Sequence, residues 1–163
     1  MSFDVYFFKP FVDGTREILL KQCNVETKPL KPFIKRTGPR VYFDIAAIIS
    51  LNSKVFTGSI SLCFPKEVFL GLMSNMLGEK YTEITSDLQD GAAELLNMIF
   101  GHAKTILNQQ KYAIDKAIPT VIRGEKIETQ HLTSIPVVVI PFETILGVFH
   151  VEILAEEQKP EAV

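Results

Sequence analysis

Residues 90–101 read DGAAELLNMIFG, and they set three polar side chains, Asp90, Glu94 and Asn97, inside a strongly helical pattern. At roughly 100° per residue, Asp90, Glu94, Asn97, Gly101, Lys104 and Asn108 fall within about 80° of one another. Leu88, Ala92, Leu95, Ile99, Ala103 and Ile106 fall on the opposite side, which must pack on a core. Glu94 and Asn97 stand three residues apart, so their side chains are neighbours pointing away from that core. A plain solvated face has the same periodicity. Three details point past it. Asn is a poorer helix-interior residue than Lys, Glu or Gln. Gly101 costs about 1 kcal/mol relative to Ala inside a helix, and its missing side chain lets another surface come close. Ala93 is small and leaves the Glu and Asn standing proud.

The pair has definite chemical capacities. An Asn amide does not titrate near neutral pH, so it cannot act as a general base. It can orient a water by hydrogen bonds, as a positioned Gln does in GTP hydrolysis. A Glu can pair with a partner's lysine or accept a proton. Neither a phosphate loop nor a Ser/His/Asp arrangement accompanies them, and the three histidines share no metal-ligand spacing with the cysteines or carboxylates. By itself the chain lacks a complete active site. The pair makes chemical sense as a part supplied to another protein's site.

The elements that must position it follow from periodicity. A long helix is expected over residues 86–109, with Ser86 as its cap and Gln89 three residues on, the capping-box spacing. A first helix is expected from near Pro10 to Cys23–Asn24. After it come an extended stretch with two prolines and two β-rich runs, RVYFDIAAIISL and KVFTGSISLCF, turning at Asn52–Ser53. A connecting helix then runs from Pro65 to Gly78. The order repeats: helix, a strand opened by Pro119, and a hairpin of SIPVVVIPF and ILGVFHVEIL turning at Glu143–Thr144, with Pro136 and Pro141 at strand ends. Ile60, Leu62 and Phe64 follow Gly58 at the same offsets as Phe149, Val151 and Ile153 follow Gly147, so each hairpin turns one face to a core. The reading is an α+β fold: a duplicated helix–strand–hairpin unit forming one mixed sheet of about six strands, with two long helices packed on it. A single domain is expected over 1–155, with pseudo-repeats of about 1–80 and 81–155, and a disordered tail over 156–163.

Composition narrows the class. With 163 residues, 47% hydrophobic and 22% charged, the chain can bury a core. Net charge is −2, and KRTGPR at 35–40 is a short cationic run read as a solvated turn, so no nucleic-acid partner is expected. Cys23 and Cys63 lie in apolar contexts without CxxC spacing; reduced, buried thiols fit the cytoplasm. Neither a signal peptide nor a membrane span is read.

With these residues in place, the chain resembles the CheC/CheX/FliY family of chemotaxis phosphatases, and is most similar to its CheX branch. The family signature, D/S-x-x-x-E-x-x-N with a proline further on, reads here as Asp90, Glu94, Asn97 and Pro119. Similarity extends through KPFVDGTREILL, GSISLCFPKE, LGEKYTEI and IPVVVIPFET, nearly the whole chain. The resemblance implies a phosphatase whose substrate is the phospho-aspartate of a CheY-type response regulator. The receiver supplies the acyl phosphate and a bound Mg²⁺; this chain holds no cofactor. Asn97 is implied to position the attacking water and Glu94 to engage the receiver's lysine. Asp90, Ala93, Gly101 and Lys104 flank them as partner-binding residues, with Asp90 and Pro119 also structural. In DGTREILL, Asp13 and Glu17 match the signature but Leu20 replaces the Asn. That implies one active site, in the second half, with Glu17 a plain surface residue. The spacing from Asn97 to Pro119 is one residue short of the family's commonest, a change assigned to the loop near 111–118. The alternative is a non-catalytic receiver-binding or flagellar-switch-like scaffold, and a homodimer through a sheet edge is compatible with either.

Overall fold

The computed structural model describes residues 5–158. In chain order the elements are α1 (Val5–Cys23), β1 (Lys28–Pro29), β2 (Phe33–Ile34), β3 (Phe43–Asn52), β4 (Phe56–Phe64), α2 (Lys66–Leu77), α3 (Ser86–Gln109), β5 (Thr120–Ile127), β6 (Val138–Thr144) and β7 (Gly147–Glu157). The strands form one sheet in the order β1-β6-β7-β4-β3-β5, with β2 also on β6. Every pairing is antiparallel, so the sheet is not mixed as expected. The reason is in the connections: β3–β4 and β6–β7 are hairpins, and each hairpin recruits the lone strand of the other half.

That exchange makes the duplication visible. The hairpin β3–β4 pairs with β5 of the second half, and β6–β7 pairs with β1 and β2 of the first. The two halves meet where β4 runs beside β7. The alignment that sets Gly147 on Gly58 also sets Val151 on Leu62, and Leu62 and Val151 are register partners. Equivalent residues that face each other mark a pseudo-two-fold axis through the sheet centre.

One face of the sheet carries Ile45, Ala47, Ile49, Ile60, Leu62, Phe64, Ile140, Phe142, Phe149, Val151 and Ile153, all buried with residues of the helices. Phe7, Phe11 and Leu19 come from α1, and Leu88, Ala92, Leu95, Ile99 and Ala103 from α3. Of the expected α3 stripe only Ile106 is half-buried; Leu107 takes the core position instead.

Local signals were displaced where burial outweighed them. The first helix is already formed at Val5, with Pro10 inside it rather than at its start. Proline costs a helical hydrogen bond there. Phe7 and Phe11 flank it, both buried, and each is worth about 1.5–3 kcal/mol. The cap of α3 is Thr85, not Ser86: its hydroxyl accepts from the Leu88 N–H at 3.3 Å. Pro65 and Gly78 flank α2 as expected, Gly78 in the left-handed region at φ 73°. The second hairpin turns at Ile145–Leu146, because Thr144 already pairs with Gly147. Pro141 lies within β6 rather than at a strand end. Its carbonyl accepts from Leu30 N–H at 2.8 Å. A residue's N–H and C=O point the same way from a strand, so the donor that Pro141 lacks faces the short outer strands. The ladder to β7 loses nothing. Finally, β7 continues to Glu157, and Gln158 N–H donates to the Val55 carbonyl at 2.9 Å, where a loose tail was expected. Residues 159–163 of that expected tail lie outside the described residues.

The opposite face of the sheet is covered by chain segments 34–40 and 128–137. Here KRTGPR departs from a solvated turn. Lys35 Nζ lies 2.8 Å from the carboxylate of Glu152 and donates to Thr129 Oγ1 at 2.8 Å. Glu152 is 2% exposed. Arg36 and Arg40 stay at the surface.

Candidate functional site

The helix α3 is a rigid mount. It has 24 residues, a side-chain cap at Thr85 and eight buried residues locking one side to the sheet. Past its end, Asn108 holds the following loop: its carbonyl oxygen accepts from Ile114 N–H at 2.7 Å. Asn108 is exposed like the rest of the polar face, but its side-chain amide is spent on the fold.

The rest of that face is exposed as expected. Asp90, Glu94, Asn97 and Gly101 are exposed; Ala93 and Lys104 are half-buried beside them. Among the described residues, the side chains of Asp90, Glu94 and Asn97 have no hydrogen-bond or ion-pair partner. A Cβ placed on Gly101 would meet nothing within 4 Å. The fold does not need glycine at that position.

The first-half helix gives the contrast. Glu17, expected to be a plain surface residue, is tied on both sides. Lys21 donates to one carboxylate oxygen, and the other lies 3.3 Å from His102 Nδ1 on α3. The hydrogen bond from Lys21, its charge, and then His102 hold the Glu17 carboxyl below its usual range. Asp13 is likewise paired, with Lys9. The acids on α1 are committed; those on α3 are free. The bridge from Glu17 to His102 escaped the linear reading because it joins residues far apart in sequence. Only the ridge 94–98–102, one residue per turn, carries a hint of it.

The site is a protrusion, not a pocket. One surface cavity of about 460 Å³ is lined by Asp13, Arg16, Glu17, Leu20, Glu26 and Thr27. A second, of about 670 Å³, lies between segments 34–40 and 128–137. Neither is lined by Glu94 or Asn97. Cys23 and Cys63 are buried free thiols; burial pushes Cys23 up to about 11 and Cys63 well above the ordinary range, which makes both poor nucleophiles. Among the described residues, no group of three or more His, Cys, Asp or Glu could hold a metal ion, and no helix is long and apolar enough to cross a membrane.

The fold that carries this exposed Glu and Asn has counterparts among known proteins. Residues 45–143 match the family model described as chemotaxis phosphatase CheX. The chain belongs to the CheX family. Solved structures agree with the assignment. A CheC-like superfamily protein from Shewanella sp. PV-4 is 31% identical, with a TM-score of 0.87 over 94% of this chain and 99% of that one. The CheX protein of Vibrio vulnificus is 30% identical, with a TM-score of 0.86 over 92% and 99%. The CheX of a Borrelia burgdorferi CheX–CheY–BeF3–Mg²⁺ complex shares the fold at a TM-score of 0.77 and 23% identity, over 93% and 98%. No curated protein sequence matches the chain. The CheX match spans α3, the β3–β4 hairpin and β5, and runs into β6.

Proposed function

We propose that this chain dephosphorylates the phospho-aspartate of a CheY-type response regulator, with Glu94 and Asn97 inserted from α3 into the receiver's site. The observation that carries the proposal is their freedom: two exposed polar side chains without partners among the described residues, on a long helix locked to the sheet by eight buried residues in a CheX-family fold. The Borrelia burgdorferi complex of a protein of similar fold with CheY and beryllofluoride supports the choice of partner.

Each residue of this chain has a defined task. The Asn97 amide orients one water in line with the phosphorus. The water oxygen attacks, the bond from phosphorus to the aspartyl oxygen breaks, and inorganic phosphate leaves a free aspartate on the receiver. The water's protons end on the phosphate and the medium. Glu94 accepts hydrogen bonds from the receiver's active-site lysine and fixes the register of the helix over the site. The receiver contributes the acyl phosphate and its Mg²⁺, which neutralises charge on the phosphoryl oxygens. Catalysis by this chain is positioning. Lys104 and Asp90 border the contact, and Ala93 and Gly101 keep its centre low.

The test is phosphate release from a panel of phosphorylated receivers of the source organism, with and without this protein. Acceleration with at least one receiver is expected. Uniform failure across the panel, with the protein folded, removes the enzyme reading. Gly101 gives an independent check. Gly101→Ala should stabilise the isolated protein by up to about 1 kcal/mol, since a Cβ there meets nothing. It should also raise KM for the receiver several-fold, because the added methyl lies in the docking plane. Thermal unfolding and steady-state kinetics on the same sample separate the two effects. A higher melting temperature with unchanged KM would mean that no surface approaches Gly101.

A further inference from the structure

A partner that reaches Glu94 and Asn97 cannot touch α3 alone. The helix α1 packs directly against it: a Cβ on Gly14 would lie 3.0 Å from the His102 ring and 3.3 Å from the Ile99 carbonyl oxygen. Phe7, near the start of α1, meets Tyr112, just beyond α3, with ring centroids 5.6 Å apart. The two helices therefore run antiparallel, side by side. Packed helices lie about 8–10 Å apart. A specific protein contact covers on the order of 800 Å² of each partner, far more than one helical stripe offers. A partner seated on the α3 stripe extends over the outer face of α1.

That face is charged, and two of its ion pairs are internal, while Arg16 is exposed. Lys9 pairs with Asp13, and Lys21 with Glu17. In its C-terminal half the large apolar exposure is Leu20, which is 48% exposed; Tyr6, at 68%, stands near the opposite end of the helix. Leu20 also lines the cavity of about 460 Å³ beside α1. In the same cavity the Thr27 hydroxyl is buried and has no hydrogen-bond partner among the described residues. We infer that Leu20 and this cavity form the second half of the receiver-docking surface, taking an apolar side chain from the phosphorylated receiver. The inference rests on the phosphatase reading. It continues that reading's surface across the Glu17–His102 bridge. An apolar centre inside a charged rim is the arrangement of a binding hot spot. Asp13 and Glu17 on the rim are already paired with lysines of α1, so the apolar centre at Leu20 is what this face adds for a partner's methyl or ring. The first-half position equivalent to Asn97 is thus an anchor: it holds the receiver while Asn97 acts on it.

Leu20→Asp, Leu20→Ala and the conservative Leu20→Met test it, using phosphate release from a phosphorylated receiver and binding of the beryllofluoride-activated receiver. Leu20→Asp is expected to raise KM and Kd about tenfold, Leu20→Ala by a smaller factor, and Leu20→Met to stay near wild type. At saturating receiver, kcat should be unchanged in all three. Leu20 is half in solvent, so thermal unfolding should hold steady and rule out misfolding. Unchanged KM and Kd in Leu20→Asp overturn the inference, as does a loss confined to kcat. If wild type accelerates no receiver's dephosphorylation, the phosphatase reading fails. The binding arm then still decides Leu20 by whether Leu20→Asp loses affinity for the activated receiver.

Discussion

Asn97→Ala should abolish the acceleration of receiver dephosphorylation, lowering kcat by about 100-fold or more, while the protein still folds and still binds the activated receiver. The size follows from the mechanism. In the proposed mechanism nothing in this chain attacks phosphorus, so its catalytic power would be the placement of one water, and misplacement by about 1 Å already costs on the order of 100-fold. Folding should be untouched, because the Asn97 side chain is exposed and makes no hydrogen bond among the described residues. Alanine is also the better helix former, so the melting temperature should rise slightly. Asn97→Gln keeps the amide but sets it one methylene further out, and should recover little. Glu94→Ala should act differently, raising KM as well as lowering kcat, since Glu94 is proposed to hold the receiver's lysine and the register of docking. Stopped-flow phosphate release with receiver in excess separates the two. Equal kcat for Asn97→Ala and wild type would remove the water-positioning role, whatever the affinity.

The second large effect lies on the other side of the sheet. Lys35→Met should destabilise the fold by about 3–5 kcal/mol, enough to consume much of a typical domain's stability. Glu152 is 2% exposed in the middle of β7, and the Lys35 side chain that pairs with it is 14% exposed. Removing the ammonium leaves a carboxylate buried without its counter-charge. The double variant Lys35→Met with Glu152→Met should recover most of the loss, since removing both charges avoids the desolvation cost that the pair must offset. Urea unfolding of the two single variants and the double variant reads the coupling. A double variant no better than the singles would mean that the pair's contribution is packing. None of the three variants should alter kcat in the folded protein, because the pair lies across the sheet from α3.

Much of the fold is legible in the sequence because its signals are local. The limits of α3, residues 86 and 109, follow from an uninterrupted stripe of apolar residues at helical spacing. Pro65 and Gly78 bracket α2, where a fixed φ suits the entry and a left-handed residue suits the exit. The alternation after Gly58 and Gly147 exposes the duplication. The misplacements have one cause. Pro10, Pro141 and Ser86 each carry a preference worth about 1–3 kcal/mol, and each was decided by a partner distant in sequence or by an adjacent competitor. Phe7 and Phe11 bury themselves on both sides of Pro10. The exchange of β1 and β2 with β6 turns the missing donor of Pro141 outward. Thr85 takes the cap from Ser86 by one residue of register.

The candidate face divides the same way. The sequence by itself determined that Asp90, Glu94, Asn97 and Gly101 share one side of a helix, because 3.6 residues per turn is a property of the backbone. It also determined that Leu20 breaks the equivalent pattern in the first half. Whether those polar groups were free was settled only in three dimensions. Glu17 and Glu94 have the same local spacing, yet Glu17 is bound by Lys21 and by His102 from another helix, while Glu94 has no partner among the described residues. Pairing depends on which helix lies alongside, and that is set by the burial of apolar faces on a shared sheet. Helical periodicity gives a residue its direction; tertiary packing decides what is waiting there.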